Sequence, residues 1–507
     1  MFTQSLWKTF ANEIRYPSLD QDISVDTVII GGGITGLSVA RELSMDNYSI
    51  AVLEARQIGG GTTSHSTGNL YSTIDKNLDT LLGKYNSTYV TEVIKARAAS
   101  VNRIEQNAER YGIDCDFKRQ PWYLYSARED NNHIIEKELN AGERINMPLS
   151  TATAGEIPFP ITKAVKLEGQ AQINPMLYVQ GLAESIISED LKIYENSPVT
   201  EVEEHDGYYT AHTNRGKVKA EHVVHATHTP KGIKFVQTLL GPYREYGIAC
   251  KLVENSHPEG IFWGYFEGRD KISTRTYSRN GETFLIVVGK PHKVGQAESN
   301  LRHIRQLEEF AREHFNVQEM VYRWGGQHYR PADSLPYIGR EKKGSGVFIS
   351  TGYSTDGLTY GTMAGMIISD LIAGKTNPWA DLFDATRNQP VKAAAEFLKE
   401  NLNVARQYYK NIPGTLEDDH FAGIAPGDGK VIEKDGHKIA ACKDEEGKLY
   451  LHSAVCPHMA CIVNWNNAES TWDCPCHASR FKPDGSVLEG PAMHPLHEMK
   501  NEKKSPG

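Results

Sequence analysis

The run Thr27-Val-Ile-Ile-Gly31-Gly-Gly33-Ile-Thr-Gly36 decides how the first half of this chain reads. A short apolar stretch, Thr27 to Ile30, enters a glycine cluster. An amphipathic stretch, Leu37 to Leu43, follows, and a second apolar run, Ser49 to Leu53, ends in Glu54. The order is strand, turn, helix, strand: a βαβ unit. The spacing Gly31-x-Gly33-x-x-Gly36 permits a tight turn, close approach of backbone to a pyrophosphate, and close packing of helix on strand. Phosphates then sit on the N-terminus of the helix that Ile34 and Thr35 begin, where amide groups and the dipole favour negative charge. Glu54 stands 18 residues after Gly36, close to where an acid accepts hydrogen bonds from an adenosine ribose, with Ala55 and Arg56 beside it. Three glycines alone are a weak signal; the strand–turn–helix–strand context and the acid make it a dinucleotide site.

At 507 residues the chain exceeds one ordinary core and predicts two or three domains. With 39% hydrophobic and 23% charged residues it has the balance of a folded protein rather than a disordered one. A net charge of −9 argues against a nucleic-acid partner, which needs a concentrated positive face. No run approaches the roughly 18 apolar residues that span a bilayer. Met363 to Ile372, interrupted by Gly365, Ser369 and Asp370, reads as a packed helix. The first residues lack a continuous apolar core and carry acids early, so a cytoplasmic protein is expected. Of seven cysteines, Cys115, Cys250 and Cys442 are scattered and read as small buried hydrophobes. The other four lie between Cys456 and Cys476, which in an intracellular protein points to metal or redox chemistry.

The pattern divides the chain into an N-terminal arm (1–24), a large α/β region (25–385), a helical connector (386–414), a small all-β domain (415–500) and a tail (501–507). Within the large region, about 160–330 alternates short strands, polar turns and helical patterns, and is expected to be an inserted α+β substrate domain; Thr283 to Val288 follows the turn residues Asn280–Gly281. Val347 to Ser350 leads through a Gly-rich turn into a helix from about Thr362 to Ile372. Val391 to Tyr409 is helical in pattern and is stopped by Ile412-Pro413-Gly414. Beyond it, Lys438 to Cys442 and Lys448 to His452 are short strands, with turns at Asp435–Gly436 and Asp484–Gly485.

Just past Glu54 comes Ile58-Gly-Gly-Gly-Thr-Thr-Ser-His-Ser-Thr-Gly68. With Trp324-Gly-Gly-Gln-His-Tyr-Arg-Pro-Ala-Asp-Ser-Leu-Pro-Tyr-Ile-Gly339 and Thr351-Gly-Tyr-Ser-Thr-Asp-Gly-Leu-Thr-Tyr-Gly361, it resembles the D-amino-acid oxidase and sarcosine oxidase superfamily of FAD enzymes over about 25–385. The resemblance implies a Rossmann-like FAD domain of the glutathione-reductase type. Its FAD contacts would include Thr62, Thr63, Ser64, His65, Val199, Gly352, Gly357, Leu358 and Thr359, besides the residues of the first fingerprint. It also implies substrate residues on strands over the flavin: Tyr246, Arg275 and Tyr277, with His328 in the loop before Asp333. An Arg suits a carboxylate, but a solvated strand residue is the open alternative for Arg275, and a structural histidine for His328. Thr63-Ser64-His65 is similar to the context in which the dimethylglycine-oxidising branch bonds its flavin covalently through His; a polar cleft residue is the other reading of His65. Gly326 stands where sarcosine oxidase-like enzymes carry a flavin-linked Cys, so that linkage is absent. Only one dinucleotide fingerprint is present, so electrons are expected to enter from an organic substrate.

Cys456-Pro-His458-Met-Ala-Cys461 and Cys474-Pro-Cys476-His477 form two loops, with fifteen residues between His458 and Cys474. A four-coordinate zinc site also accepts two Cys and two His, but it leaves the two extra cysteines unexplained. With Gly490-Pro-Ala-Met-His-Pro-Leu496, the loops resemble Rieske proteins over about 415–496. The resemblance implies a [2Fe–2S] cluster, with Cys456 and Cys474 on one iron and His458 and His477 on the other. It also implies a Cys461–Cys476 disulfide and a hydrogen bond from Ser479 to a cluster sulfur. Phe481 replaces the Tyr of the high-potential group, so a potential in the upper part of the Rieske span, short of its top, is expected.

Together these readings predict FAD-dependent dehydrogenation of an amine or amino acid. Electrons would pass through the cluster to an external acceptor: a carrier, a quinone or an oxygenase. A reductase component feeding an oxygenase, and a redox-sensing carrier without turnover, are the alternatives.

Overall fold

The structure, a computed structural model, describes residues 4–254, 257–268, 270–387, 421, 423–434 and 436–499. The helical connector expected over 386–414 lies, from residue 388 on, outside the described residues, as does the tail. The first sheet runs in the order Tyr337–Arg340, Val347–Thr351, Lys217–His225, Ile23–Ile30, Ile50–Leu53 and Leu191–Tyr194. All its pairings along that path are parallel except the first. Covered on both faces, its strands are continuous apolar runs, which is why Val28 to Ile30 and Ile50 to Leu53 are buried without alternation. The helices Ile34–Ser44 and Gly357–Ile372 pack closely on one of these faces. A Cβ at Gly361 would lie 2.8 Å from Thr35 Oγ1, and one at Gly365 would lie 2.5 Å from Ser38 Cβ. Only glycine allows that approach. The second helix starts at Gly357, five residues before the sequence pattern places it, so Leu358 and Thr359 lie in its first turn.

The second sheet has nine strands, ordered Val317–Pro331, Leu240–Leu252, Glu282–Lys293, Lys271–Arg279, Ile261–Tyr265, Lys118–Ser126, Lys163–Gln172 and Asn69–Leu70, with Ser150–Thr151 beside Lys163–Gln172. This corrects the expected single insertion at about 160–330. Strands from 69 to 172 join the second sheet, while Leu191–Tyr194 and Lys217–His225 return to the first. A strand is assigned by the ladder it completes, and those two short runs complete the parallel ladder against Ile50–Leu53 and Ile23–Ile30.

The C-terminal part is all-β: Gly429–Lys434, His437–Lys443 and Leu449–Ser453 form one sheet, and Asn464–Asn466, Thr471–Asp473, Arg480–Phe481 and Val487–Glu489 another. The N-terminal arm is built in: Leu6 and Trp7 are fully buried, Ser5 Oγ donates to the Ser64 carbonyl, and Trp7 Nε1 donates to Ser66 O (2.7 Å). Among the described residues, no helix is long and apolar enough to cross a membrane.

One pairing organises everything that follows. Val317–Pro331 lies antiparallel to Leu240–Leu252, with Tyr243 opposite His328, Glu245 opposite Gly326 and Gly247 opposite Trp324. Side chains alternate along strands. Trp324, His328 and Arg330 therefore share one face with Tyr243 and Glu245, while Gln327 and Tyr329 share the other with Arg244 and Tyr246.

Candidate active site and iron–sulfur centre

The glycine turn is a cradle that a side chain would fill. A Cβ at Gly31 (φ +112°) would lie 2.5 Å from Ala226 O, and one at Gly36 would lie 1.9 Å from Gly31 O. Gly33 caps the helix without a side-chain hydrogen bond, and Thr63 Oγ1 accepts from Ile34 N (3.1 Å), placing the Thr62–His65 turn over that helix end. Glu54 accepts from Gly32 N and Arg56 N (2.9 Å each). Ala55 lines a cleft of about 300 Å³ with Asn196, Ser197 and Pro198, next to buried Val199. Gly352 packs on Pro331, and Asp356, ahead of Gly357, is ion-paired with buried Arg97 (3.0 Å). Thr62 Oγ1 bonds His228 Nδ1 (3.1 Å), and Ser64 Oγ donates to Gly61 O. His65 Nδ1 meets the Gly61 carbonyl (2.8 Å), which only accepts, so Nδ1 carries the proton and the lone pair of the neutral ring lies on Nε2. Burial and Lys8 draw this imidazole's pKa down to about 4.

Of the four expected substrate residues, Arg275, Tyr277 and His328 share the face with Trp324, and of these His328 lies in the charged cluster described below. Tyr246 falls on the opposite face, where its hydroxyl meets the Asn466 amide (3.2 and 3.3 Å); strand alternation turns it away from Trp324 and His328. Arg275 is buried, donates to the carbonyls of Thr67 (3.0 Å) and Thr276 (3.2 Å), and has its pKa pulled to about 9 by burial. It holds the end of the cofactor segment. Tyr277 Oη accepts from Asn174 (2.7 Å) and donates to Asp116 (2.9 Å), with its ring against Trp7. His328 Nε2 accepts from Arg330 Nε (3.2 Å), and burial and Arg330 hold the imidazole neutral.

Residues that sequence reasoning passed over complete this face. Arg330 lies 4.1 Å over the Tyr243 ring and, among the described residues, forms no ion pair. Burial and Asp75 push the Glu245 carboxyl up to about 7. Burial opposes ionisation of Asp75, but chiefly Lys271 and Arg330 outweigh it and bring its pKa to about 2. Arg330 stands inside the quoted motif ending at Gly339; only the strand register shows which of its polar residues turn inward.

In the C-terminal domain Cys456, His458, Cys474 and His477 are all buried and converge. Cys456 and Cys474 are hydrogen-bonded to each other, with Ser479 as a further partner of Cys456. The two imidazoles stand 5.0 Å apart at 82°, and both Nδ1 atoms are buried without a partner. Cys461 and Cys476 form a disulfide joining the loops. Sulfurs of Cys461, Cys474 and Cys476 lie within 4.8 Å of one another, but the two disulfide sulfurs offer no thiolate, so that trio is no metal site.

This domain sits on the second sheet, on the face away from His328. Arg244 makes a two-pronged ion pair with Glu469 (2.5 Å), and Arg480 binds Asp473 (2.9 Å), Glu489 (2.8 Å) and Glu469 (3.2 Å). Asn467 Oδ1 caps the helix Asn300–His314 by accepting from Asn300 N (3.0 Å) and Leu301 N (3.2 Å). Tyr329 Oη donates to His477 O (3.2 Å), Gln327 Nε2 donates to Ala478 O (3.1 Å), and His458 Nε2 meets Gln237 Oε1 (3.1 Å). Tyr329 in turn packs edge-on against His228, the partner of Thr62. A short chain of contacts thus joins the cofactor turn to the two histidines.

Residues 26–371 match the family described as FAD dependent oxidoreductase, and residues 417–500 match the Rieske [2Fe-2S] domain. The chain belongs to the FAD-dependent oxidoreductase family. It carries a C-terminal Rieske domain, and the two families imply FAD and a [2Fe–2S] cluster. A Bacillus subtilis (strain 168) protein named for a Rieske 2Fe-2S centre, YhfW, is 30% identical over 98% of this chain and 97% of its own. Gamma-glutamylputrescine oxidoreductase of Escherichia coli (strain K12) is 25% identical over 76% of this chain and 92% of its own. The crystal structure of glycine oxidase from Geobacillus kaustophilus superposes with a TM-score of 0.59 at 20% identity, covering 72% of this chain and 99% of that one. The oxidoreductase's residues fit both groups: the cradle has no room for a side chain at Gly31 or Gly36, and two paired thiols and two adjoining imidazoles with unpartnered Nδ1 atoms are buried in the two loops.

Proposed function

We propose that this oxidoreductase dehydrogenates an amine or amino acid and delivers the electrons, through its Rieske domain, to an external acceptor. One observation carries the reading. A single layer of sheet separates a polar, charged face from the docked Cys/His loops, so substrate and cluster are served by opposite sides of the same two strands. FAD supplies two-electron oxidation of a C–H bond next to nitrogen, and a [2Fe–2S] cluster of Cys456, His458, Cys474 and His477 supplies one-electron transfer. Arg330 holds a substrate carboxylate, and Glu245, drawn toward neutral pH, faces its nitrogen. Neutral His328 orients Arg330. An anaerobic screen of amines and amino acids tests this: a true substrate bleaches the flavin first and the cluster second. A chain that responds to no amine, and whose cluster is reduced only by an added partner, is a reductase component instead.

Arg330→Met is expected to weaken apparent binding of carboxylated substrates by about 10- to 150-fold, the equivalent of roughly 1.5–3 kcal/mol for a charged hydrogen bond. The limiting rate of flavin reduction should change much less. Equal loss for substrates with and without a carboxylate would remove Arg330 from this role.

We also assign His65 Nε2 as the atom bonded to the flavin. Acid precipitation should leave yellow colour with the protein, and His65→Ala should release it. FAD that comes off the unaltered chain freely would make His65 a cleft residue only.

A further inference from the structure

We propose that Gln237, a residue of the FAD-binding part of the chain, is an outer partner of the iron–sulfur cluster that orients His458 and lowers the cluster's potential. The inference rests on the ligand set proposed above. Gln237 lies in the short helical turn Phe235–Leu239 and is 3% exposed. Its amide orientation follows from its neighbours. Nε2 donates to the carbonyls of Pro230 and Gly232 (2.8 Å each), which can only accept, so Oε1 is the acceptor facing the other way. There it receives Lys234 N–H (3.1 Å) and approaches His458 Nε2 at 3.1 Å. The same Nε2 lies 3.2 Å from the Gly232 carbonyl. Facing two oxygens that cannot donate, Nε2 must carry a hydrogen. The neutral ring therefore keeps its lone pair on Nδ1, the atom that is buried without a partner. Docking against the FAD-binding part thus selects the tautomer that can bind iron. Gly232 N–H donating to Pro491 O (3.1 Å) secures the same contact from the other side.

An N–H of a metal-bound imidazole that donates to an oxygen makes the ring a better electron donor. More donation favours the oxidised, more positive cluster. Removing the acceptor should therefore raise the midpoint potential, and the potential should belong to the docked arrangement rather than to the small domain alone.

The test is a redox titration of the cluster in the full chain, followed by electron paramagnetic resonance. Gln237→Met keeps the length of the side chain and removes the acceptor; Gln237→Leu removes it with a different shape. Both should keep a Rieske spectrum and shift the reduction equilibrium about tenfold toward the reduced cluster, or about 59 mV for one electron. Pulsed measurements should show a changed nitrogen coupling for one of the two histidines. Phe235→Ala, an exposed neighbour on the same turn that does not touch His458, should leave the potential where it was. Unmoved potentials in both Gln237 variants, or an equal shift with Phe235→Ala, overturn the inference. If the unaltered chain shows no Rieske spectrum at all, the ligand set falls and the inference with it.

Discussion

Cys474→Ser is expected to abolish the Rieske signal and the acid-labile sulfide while leaving substrate-dependent bleaching of the flavin intact. Cys474 is buried and hydrogen-bonded to Cys456, so the pair forms the thiolate half of the pocket. A hydroxyl there is a poor ligand for iron, and the whole cluster, rather than a fraction of it, should be lost. In rapid mixing with a true substrate, the unaltered chain should show two phases, the second being cluster reduction. Because both centres sit on one chain, with His458 and His477 already docked, that second phase should not depend on protein concentration. Cys474→Ser should remove the second phase and keep the first. A cluster spectrum that survives the substitution, or an unaltered chain that binds zinc and no iron after anaerobic expression, would sink the ligand assignment.

The second large effect concerns the seam between the two domains. Glu469 accepts from Arg244 and Arg480, all three nearly or fully buried. Glu469→Ala leaves Arg244 as an unpaired charge inside the protein, while Arg480 keeps Asp473 and Glu489. Removing one partner of a buried pair costs about 3–5 kcal/mol. The loss should appear as earlier melting and as faster proteolysis between the domains. Replacing both Arg244 and Glu469 by leucine should cost less than Glu469→Ala alone, because no orphaned charge remains at Arg244. The pH dependence has a definite sign. Burial opposes ionisation of Glu469, but Arg244 and Arg480 outweigh it and bring its pKa to about 2, below the ordinary value of 4.5. A depressed carboxylate stabilises the fold fully above its unfolded pKa and loses that contribution as pH falls through the folded one. The difference between the unaltered chain and Glu469→Ala should therefore be complete above about pH 4.5 and shrink progressively toward pH 2. A difference that is constant across that window would show that packing, not charge, holds the seam.

Local chemistry made much of this protein legible before any coordinates. Gly31 and Gly36, spaced with Gly33, announce a phosphate turn, because a Cβ at Gly31 or Gly36 would meet backbone at 2.5 and 1.9 Å. The loop residues Cys456, His458, Cys474 and His477, with the two extra cysteines and the stretch from Gly490 to Leu496, carry the resemblance to Rieske proteins that implies iron. Such signals are confined to a few adjacent residues, so the order of amino acids by itself determined them. What lies across the molecule could not be read that way. Tyr246 and Glu245 are neighbours in sequence, and only Tyr246 stands out there as a substrate residue. A strand sends them to opposite faces, one toward Asn466 and the other toward Arg330, and only the register with Val317–Pro331 decides which goes where. Gln237 carries no motif at all; it acquires a role because folding brings it 3.1 Å from a histidine 221 residues away. The sequence determined which chemistry is present. The tertiary structure decided which side of the sheet each group occupies, because strand alternation and domain docking are set by long-range pairing rather than by neighbouring residues.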